Sequence, residues 1–423
     1  MTTPKMKGLP DGGIALTRFL LLGVIVTMLV STSVAIAFEF ASYIAFVALP
    51  EPRRRLGTAL HHPLVLALLP FAIAVVVAAF YGPASWNNAL GAVAGWRRLL
   101  LLPLAFAIFD DEPAKRLVLK TLIVVCLIGA AISILGATIL PSHGWLARGV
   151  VYRNYATQGV TFSLAIIVCV AALLRPAAFK GDWLLGDRRM MAAAILALTI
   201  DVVFVLESRS GYGAVIVMTA ALVTFLAPGS WRVKALAGLG VLICVGLLLA
   251  SSPHVRGRVE QGVREIETVD VTAHETSMGQ RDVMWRHAVR MIRDHPIFGV
   301  GTGGFQDGYR PYIEGVVGWQ GFVTSDPHNQ FMKIQGEQGL IGLAGLLFFI
   351  VRAFMIPAPA PYRQLAAAAL VGWCATSLAN SHFSTFAEGR LLFFWLGAML
   401  ANGQHVTQAV AVGLARPSGA DVP

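Results

Sequence analysis

Residues 14–49 read IALTRFLLLGVIVTMLVSTSVAIAFEFASYIAFVAL, a near-continuous apolar run broken by Glu39. About 20 residues of helix suffice to cross the ~30 Å hydrocarbon layer of a bilayer. The run therefore reads as two spans, 14–30 and 32–49, or as one long span. Lys5 and Lys7 precede it and Ala35-x-Ala37 supplies a small-residue triplet, both features of a secretory signal. Its apolar part is too long for one and further spans follow, so it reads as an uncleaved first helix. Similar runs recur at 63–82, 95–109, 117–140, 157–175, 190–207, 212–228, 235–251, 329–350, 364–380 and 389–405, giving twelve expected helices. The composition agrees: 56% of the 423 residues are hydrophobic and 13% charged, with a mean hydropathy of +0.69. A soluble globular domain is excluded, and the fold class is an all-α polytopic membrane protein.

The basic residues of short loops orient the chain. Lys5/Lys7, Arg53-Arg54-Arg55, Lys115/Arg116/Lys120, Lys180/Arg188/Arg189, Arg232/Lys234 and Arg352/Arg363 fall in alternate gaps, which places those gaps and both termini in the cytoplasm. The +10 net charge sits largely in these anchors and calls for no nucleic acid. Gaps 83–94, 141–156, 208–211, 252–328 and 381–388 then face outward. Six of the seven lysines lie on the inner side, Lys333 being the exception, whereas the outer side and its edges carry arginine. Among these are Arg97, Arg98, Arg148, Arg153, Arg209 and Arg390, with eight more in 252–327. Arginine against the positive-inside bias asks for geometry, because its guanidinium fork grips phosphate through two parallel bonds. The alternative for any single one is an interfacial side chain snorkelling to the headgroups.

The expected layout is a transmembrane bundle over 1–251 (nine helices), an external loop region over 252–328, a second bundle over 329–406 (three helices) and a tail at 407–423. Cys126, Cys169, Cys244 and Cys374 all fall inside spans, which argues against a disulfide framework. In the external segment, eight arginines face ten acids, so a phosphate site there requires particular arginines to converge. From Arg281 to Asp294, Met284, Trp285, Ala288, Met291 and Ile292 recur at helical spacing with Arg286, Arg290 and Arg293 opposite. Those three read as a solvated face. Arg281 is set apart at the helix start, where backbone amides also favour an anion. Gly299-Val-Gly301-Thr-Gly303-Gly304 contains G-x-G-x-x-G but lacks a βαβ context, so it reads as a tight turn bringing backbone close to substrate or bundle. Tyr309, Tyr312, Trp319 and Phe322 fit either sugar stacking or a small loop core.

Two further features carry chemistry. Ser208-Arg209-Ser210-Gly211 interrupts the apolar stretch 190–228 and reads as a tight external turn holding an arginine at the membrane face, with Glu207 as a possible ion-pair partner. His328 and Asn329 follow Pro327, a helix-start signal, and so lie in a first turn facing the external loop. A neutral imidazole there can accept a proton near neutral pH, with Asn329 orienting it or binding substrate.

His328-Asn329, nine residues, then Gly339-Leu-Ile-Gly342 resembles the H-[NSQ]-x9-G-x-x-G signature of the O-antigen ligase superfamily. Gly-Gln-Arg281-Asp-Val-Met-Trp285 through Asp294-His-Pro-Ile-Phe-Gly-Val-Gly301 resembles that superfamily's external loop, as does Ser-Arg209-Ser-Gly. The resemblance implies a fold like that of the C-type glycosyltransferases, in the bacterial inner membrane with its active site at the periplasmic face. It implies a metal-independent, cofactor-free, inverting glycosyltransferase. The donor would be an undecaprenyl-pyrophosphate-linked polysaccharide and the acceptor a sugar hydroxyl of lipid A-core. On this resemblance His328 is the base, Arg209 and Arg281 bind the pyrophosphate, and Asn329, Arg97, Arg98 and Arg153 are substrate-binding candidates. No D-x-D motif is visible, which fits arginines in place of a metal. O-antigen polymerases and protein O-oligosaccharyltransferases carry related motifs. Arg293…Gly304 and Arg310…Gly321 match the R-x10-G spacing of polymerases, but within one loop. A lipid-linked glycan transporter is the alternative of a different class; it would place its ionisable residues near the bilayer midplane.

Overall fold

The computed structural model describes residues 12–139, 149–268 and 276–402, which are mostly helical with no strand among them. The first half comprises α1 (Gly12–Thr27), α2 (Thr32–Ala48), α3 (Pro50–Leu60), α4 (Pro63–Leu66), α5 (Leu69–Val77), α6 (Trp86–Gly95), α7 (Leu101–Ile108), α8 (Glu112–Ile139) and α9 (Tyr155–Leu174). The second comprises α10 (Arg188–Ile200), which runs into a π-turn, α11 (Arg209–Leu226), α12 (Trp231–Ser251), α13 (Pro253–Glu267), α14 (Ser277–Asp294), α15 (Phe305–Tyr309), α16 (Gln330–Met355), α17 (Tyr362–Thr376) and α18 (Phe386–Leu400).

Among the described residues, seven helical stretches are long and apolar enough to cross a membrane: Pro63–Phe80, Trp86–Ile108, Glu112–Ile139, Tyr155–Leu174, Arg209–Leu226, Trp231–Ser251 and Gln330–Met355. The pair α2 and α3, bent by 95°, is an eighth if taken as one broken span. All twelve expected runs carry a helix, yet the remaining ones are short: α17 and α18 have 15 residues each. At 1.5 Å per residue that is about 22 Å, less than the hydrocarbon thickness. Every residue of α18 from Ala387 to Leu400 is buried, so it is a central post among α7, α9 and α17. Apart from Glu388 and Arg390 it is apolar on all sides, as suits a helix in such a core. Its C-terminal carbonyls are capped from outside: Lys115 of α8 donates to Ala398, Met399 and Ala401 at 2.8, 2.9 and 2.7 Å. A cation at the negative end of a helix is the favoured arrangement.

The stretch 14–49 does not break at Glu39. It breaks at 28–31, where Ser31 caps α2, and Glu39 lies in mid-helix with none of its surface exposed. Its charge is matched there: Arg390 of α18 donates to Oε2 through Nε and Nη2 (3.0 and 2.8 Å), and Tyr43 donates to Oε1 at 2.6 Å. Removing one partner from such a pair leaves a buried charge uncompensated.

The expected external loop 252–328 is mostly helix. Only Ser252 separates α12 from α13, and α13 packs against α14. The polar run from Arg256, which shows no long apolar stretch, is thus an amphipathic helix resting Val255 on the bundle. Beyond α14 a second small core forms from Ala288, Met291, Val300, Phe305, Tyr309 and Ile313. Tyr309 therefore serves as core, and Tyr312 packs on it and donates to Asp294. The tail at 407–423 and Lys5 and Lys7 lie outside the described residues.

Candidate functional site

Five helices begin around one cavity of about 910 Å³. Asn154 caps α9 by accepting from Thr157 N, Ser208 caps α11 through Gly211 N, and Thr276 caps α14 through Gly279 N. Asn329 caps α16 through Phe331 N and Met332 N, and α18 starts after Thr385. Lining residues come from each of these starts, including Asn154, Ser210, Ser277, His328 and Thr385. Helix N-termini present backbone N–H groups and the positive end of the macrodipole, so their convergence makes a region of positive potential.

Cations are disfavoured at such ends, yet four arginines line this cavity: Arg153, Arg209, Arg258 and Arg281. Arg209 is the first residue of α11, not part of a free turn as its sequence indicated. Its Nε donates to Arg258 O at 3.3 Å and its Nη1 lies 3.6 Å from Glu265, while Nη2 is buried without a hydrogen-bond partner. Arg281 lies one turn inside α14; its Nη1 has only Met278 Sδ at 3.3 Å, and its Nε is buried and unpartnered. Burial, then the nearby Arg209, pull the Arg281 pKa below its ordinary value. Arg153 is tethered by Thr32 (Nη1 to Oγ1, 2.6 Å) and stacks over Phe386 at 4.6 Å. Partly buried guanidinium groups with individual unmet donors, and the repulsion between Arg209 and Arg281, are unfavourable for the protein alone and are relieved by an anion.

The His328 turn lines the same cavity as the arginines. His328 is not in the helix: α16 begins at Gln330, and His328 precedes its cap with φ of 50°. That left-handed geometry costs about 1–2 kcal/mol for a non-glycine residue. Asp326 holds it. The Asp326 Oδ1 accepts from His328 N (2.8 Å) and Ser381 Oγ (2.6 Å), and Oδ2 accepts from Lys333 Nζ (3.0 Å). Burial would raise the Asp326 pKa, but Lys333 and these bonds keep it low. Trp285 of α14 donates to Pro327 O at 2.8 Å, so the helix bearing Arg281 also sets the turn bearing His328. Burial pushes the His328 pKa down, Asp326 opposing it and Arg281 and Lys333 adding to it. The imidazole is therefore neutral near pH 7.

The first glycine of the signature has a mechanical reason. Gly339 interrupts α16 at φ 65°, ψ −164°, a region essentially open to glycine alone. The interruption lets Leu340 N donate to Pro296 O at 2.9 Å, locking the loop after α14 onto α16. A Cβ on Gly339 would lie 2.1 Å from Ile297 O. Gly299, Gly301 and Gly303 all have positive φ and dock the same loop, with Val300 N donating to Gly336 O and Gly301 N to Glu337 O at 2.8 Å. The glycine run thus approaches the bundle, not the cavity. Gly339→Ala is expected to lower the Tm by several degrees in detergent and to abolish activity. An unchanged Tm would show that this contact does not hold α14 to α16.

Three expected substrate-binding residues are engaged in the protein's own contacts. Arg97 pairs with Glu39 at 3.3 Å, and Arg98 is buried, donating to Gly95 O and Thr385 O at 2.7 and 2.6 Å. Asn329 is occupied as the α16 cap and donates to Leu378 O at 2.9 Å. None of the three is among the residues lining the cavity. Arg286 faces outward in an ion pair with Asp282, as the solvated-face reading expected. Exposed pairs contribute ~0–1 kcal/mol, so Arg286→Ala should leave activity within about twofold; a complete loss would contradict that placement. Sequence reasoning missed Asp326, Arg258 and the whole segment 381–388, whose Ser381, His382 and Glu388 line the cavity. Polar residues crowded into so short a gap between apolar runs were the available signal.

Among the described residues, the helices and the cavity define a polytopic, helical integral membrane protein with a large polar site at a convergence of helix N-termini. Residues 192–347 match the sequence profile of the O-Antigen ligase family, which supports an O-antigen ligase-type superfamily assignment. The matched stretch spans somewhat over a third of the chain and includes Arg209, Arg281 and His328. Members of this family are membrane glycosyltransferase-like enzymes, ligases and polymerases. No curated protein matches the sequence.

Proposed function

We propose that the protein transfers O-antigen polysaccharide from undecaprenyl pyrophosphate to a sugar hydroxyl of lipid A-core, at the periplasmic face of the bacterial inner membrane. The observation that carries this reading is the convergence of buried arginine donors and a neutral histidine on one cavity. Arg209 and Arg281 would bind the pyrophosphate, joined by Arg153 and Arg258. The acceptor oxygen attacks the anomeric carbon and its proton passes to the His328 imidazole. The bond from the anomeric carbon to the pyrophosphate oxygen breaks, and that oxygen keeps the electron pair. The arginines stabilise the charge that develops there, and attack opposite the leaving group inverts the configuration. Groups fixed in advance where charge develops need no reorganisation during the reaction.

The acid limb of the pH profile follows from His328. The neutral form is the base, so kcat/KM should rise with pH and level off above the His328 pKa. Because that pKa is lowered, the inflection falls below the ordinary histidine value of ~6.5. An inflection above that value would contradict His328 as the base.

The reading is tested with purified protein, lipid-linked polysaccharide and lipid A-core, with and without chelator. Capped core is the expected product in both conditions. A ladder of longer lipid-linked chains with no capped core would make the protein a polymerase instead, and dependence on a divalent ion would overturn the arginine-only account of charge stabilisation.

A further inference from the structure

The cavity has a second, uncharged feature that the transfer chemistry leaves unused. His382, in the segment between α17 and α18, is 2% exposed and lines the cavity, and neither its Nδ1 nor its Nε2 has a hydrogen-bond partner among the described residues. Its neighbours in sequence are fully engaged. Ser381 donates to Asp326, and the segment is pinned by Ser384 N donating to Gln330 Oε1 at 2.9 Å. Glu388, the carboxylate lining the same side, accepts from Thr157 at 2.6 Å. The rigid frame therefore holds an imidazole with one unmet donor and one unmet acceptor. Burying such groups unsatisfied is costly, and native proteins rarely do so without a role.

We propose that His382 binds a hydroxyl of the glycan carried by the lipid-linked donor, making a sugar subsite beside the arginine wall. This rests on the reading that the cavity takes a lipid-linked glycan. A glycan offers several hydroxyls that each donate or accept, so different hydroxyls match the two nitrogens of a neutral imidazole, which point to different edges of the ring; a phosphate oxygen would satisfy only the N–H. Burial depresses the His382 pKa against the pull of Glu388 and Asp326, which agrees with a neutral ring. The cavity is thereby divided: arginines for the pyrophosphate, and the Asp326, His382 and Glu388 side for hydroxyls.

Binding in detergent separates this proposal from the reading beneath it. The probes are bare undecaprenyl pyrophosphate and the undecaprenyl-pyrophosphate-linked polysaccharide from the same cells. Wild type should bind the glycosylated lipid more tightly. His382→Phe should weaken that binding about 5- to 10-fold, the value of one or two hydrogen bonds, while leaving affinity for the bare lipid unchanged. His382→Gln, which keeps a donor and an acceptor, should recover most of the loss and shows that folding is not the cause. Arg209→Ala should weaken both probes. Equal affinity of wild type for the two lipids, or a His382→Phe protein that binds the glycosylated lipid like wild type, overturns the sugar subsite. If wild type binds neither lipid, the proposed donor itself is wrong and the subsite falls with it.

Discussion

His328→Ala is expected to reduce polymer transfer by about 10² to 10⁴-fold, the usual contribution of a positioned general base. The protein should stay folded, because the hydrogen bond that Asp326 makes to this turn runs to the backbone N–H of His328, not its ring. Alanine does lose some ease at φ 50°, so His328→Asn is the cleaner variant. Asparagine tolerates left-handed backbone but offers no base. Both variants should keep the wild-type Tm within a few degrees and lose transfer together. Full activity in His328→Asn would remove the base from the mechanism.

The second large effect is expected at Arg209. Arg209→Ala deletes a guanidinium whose Nη2 is buried and unpartnered and whose remaining contacts are long, 3.3 Å to Arg258 O and 3.6 Å to Glu265. Little native structure depends on it, while a leaving pyrophosphate would lose a fixed donor pair. Loss of one such stabilising group typically costs about 10²–10³ in rate. Arg209→Lys should recover only a small part, since an ammonium cannot reproduce the planar fork. Arg281→Ala is expected to fall in the same range, and the double variant should lose less than the product of the two if both arginines grip one group. Wild-type rates in Arg209→Lys would mean that bulk charge suffices and that fork geometry plays no part.

Several elements were legible in the chain because their signals are local. Apolar length gave the helices, and arginine against the positive-inside bias marked Arg153, Arg209 and Arg281, which do line the cavity. The same signal also picked Arg97, Arg98 and Arg390. A count of charge cannot tell an arginine awaiting a ligand from one paired with Glu39, as Arg97 and Arg390 are, or held by backbone carbonyls, as Arg98 is, because those partners come together only in the fold. Helix lengths were misjudged where a run is apolar because it is buried in protein, as in α18, and not because it faces lipid. The role of Asp326 was hidden for a related reason: its partners Lys333 and Ser381 meet only once α16 and the segment before α18 are packed together. The convergence of five helix starts is likewise a tertiary fact, with only the caps themselves written in the sequence.

In the proposed mechanism a single cavity activates an acceptor hydroxyl and receives the departing pyrophosphate. The most direct measurement is the release of free undecaprenyl pyrophosphate by purified protein, followed over time with lipid A-core present. Release should match capped core one for one in wild type and be lost in both His328→Asn and Arg209→Ala. Release and capping that continue undiminished in either variant would contradict the account.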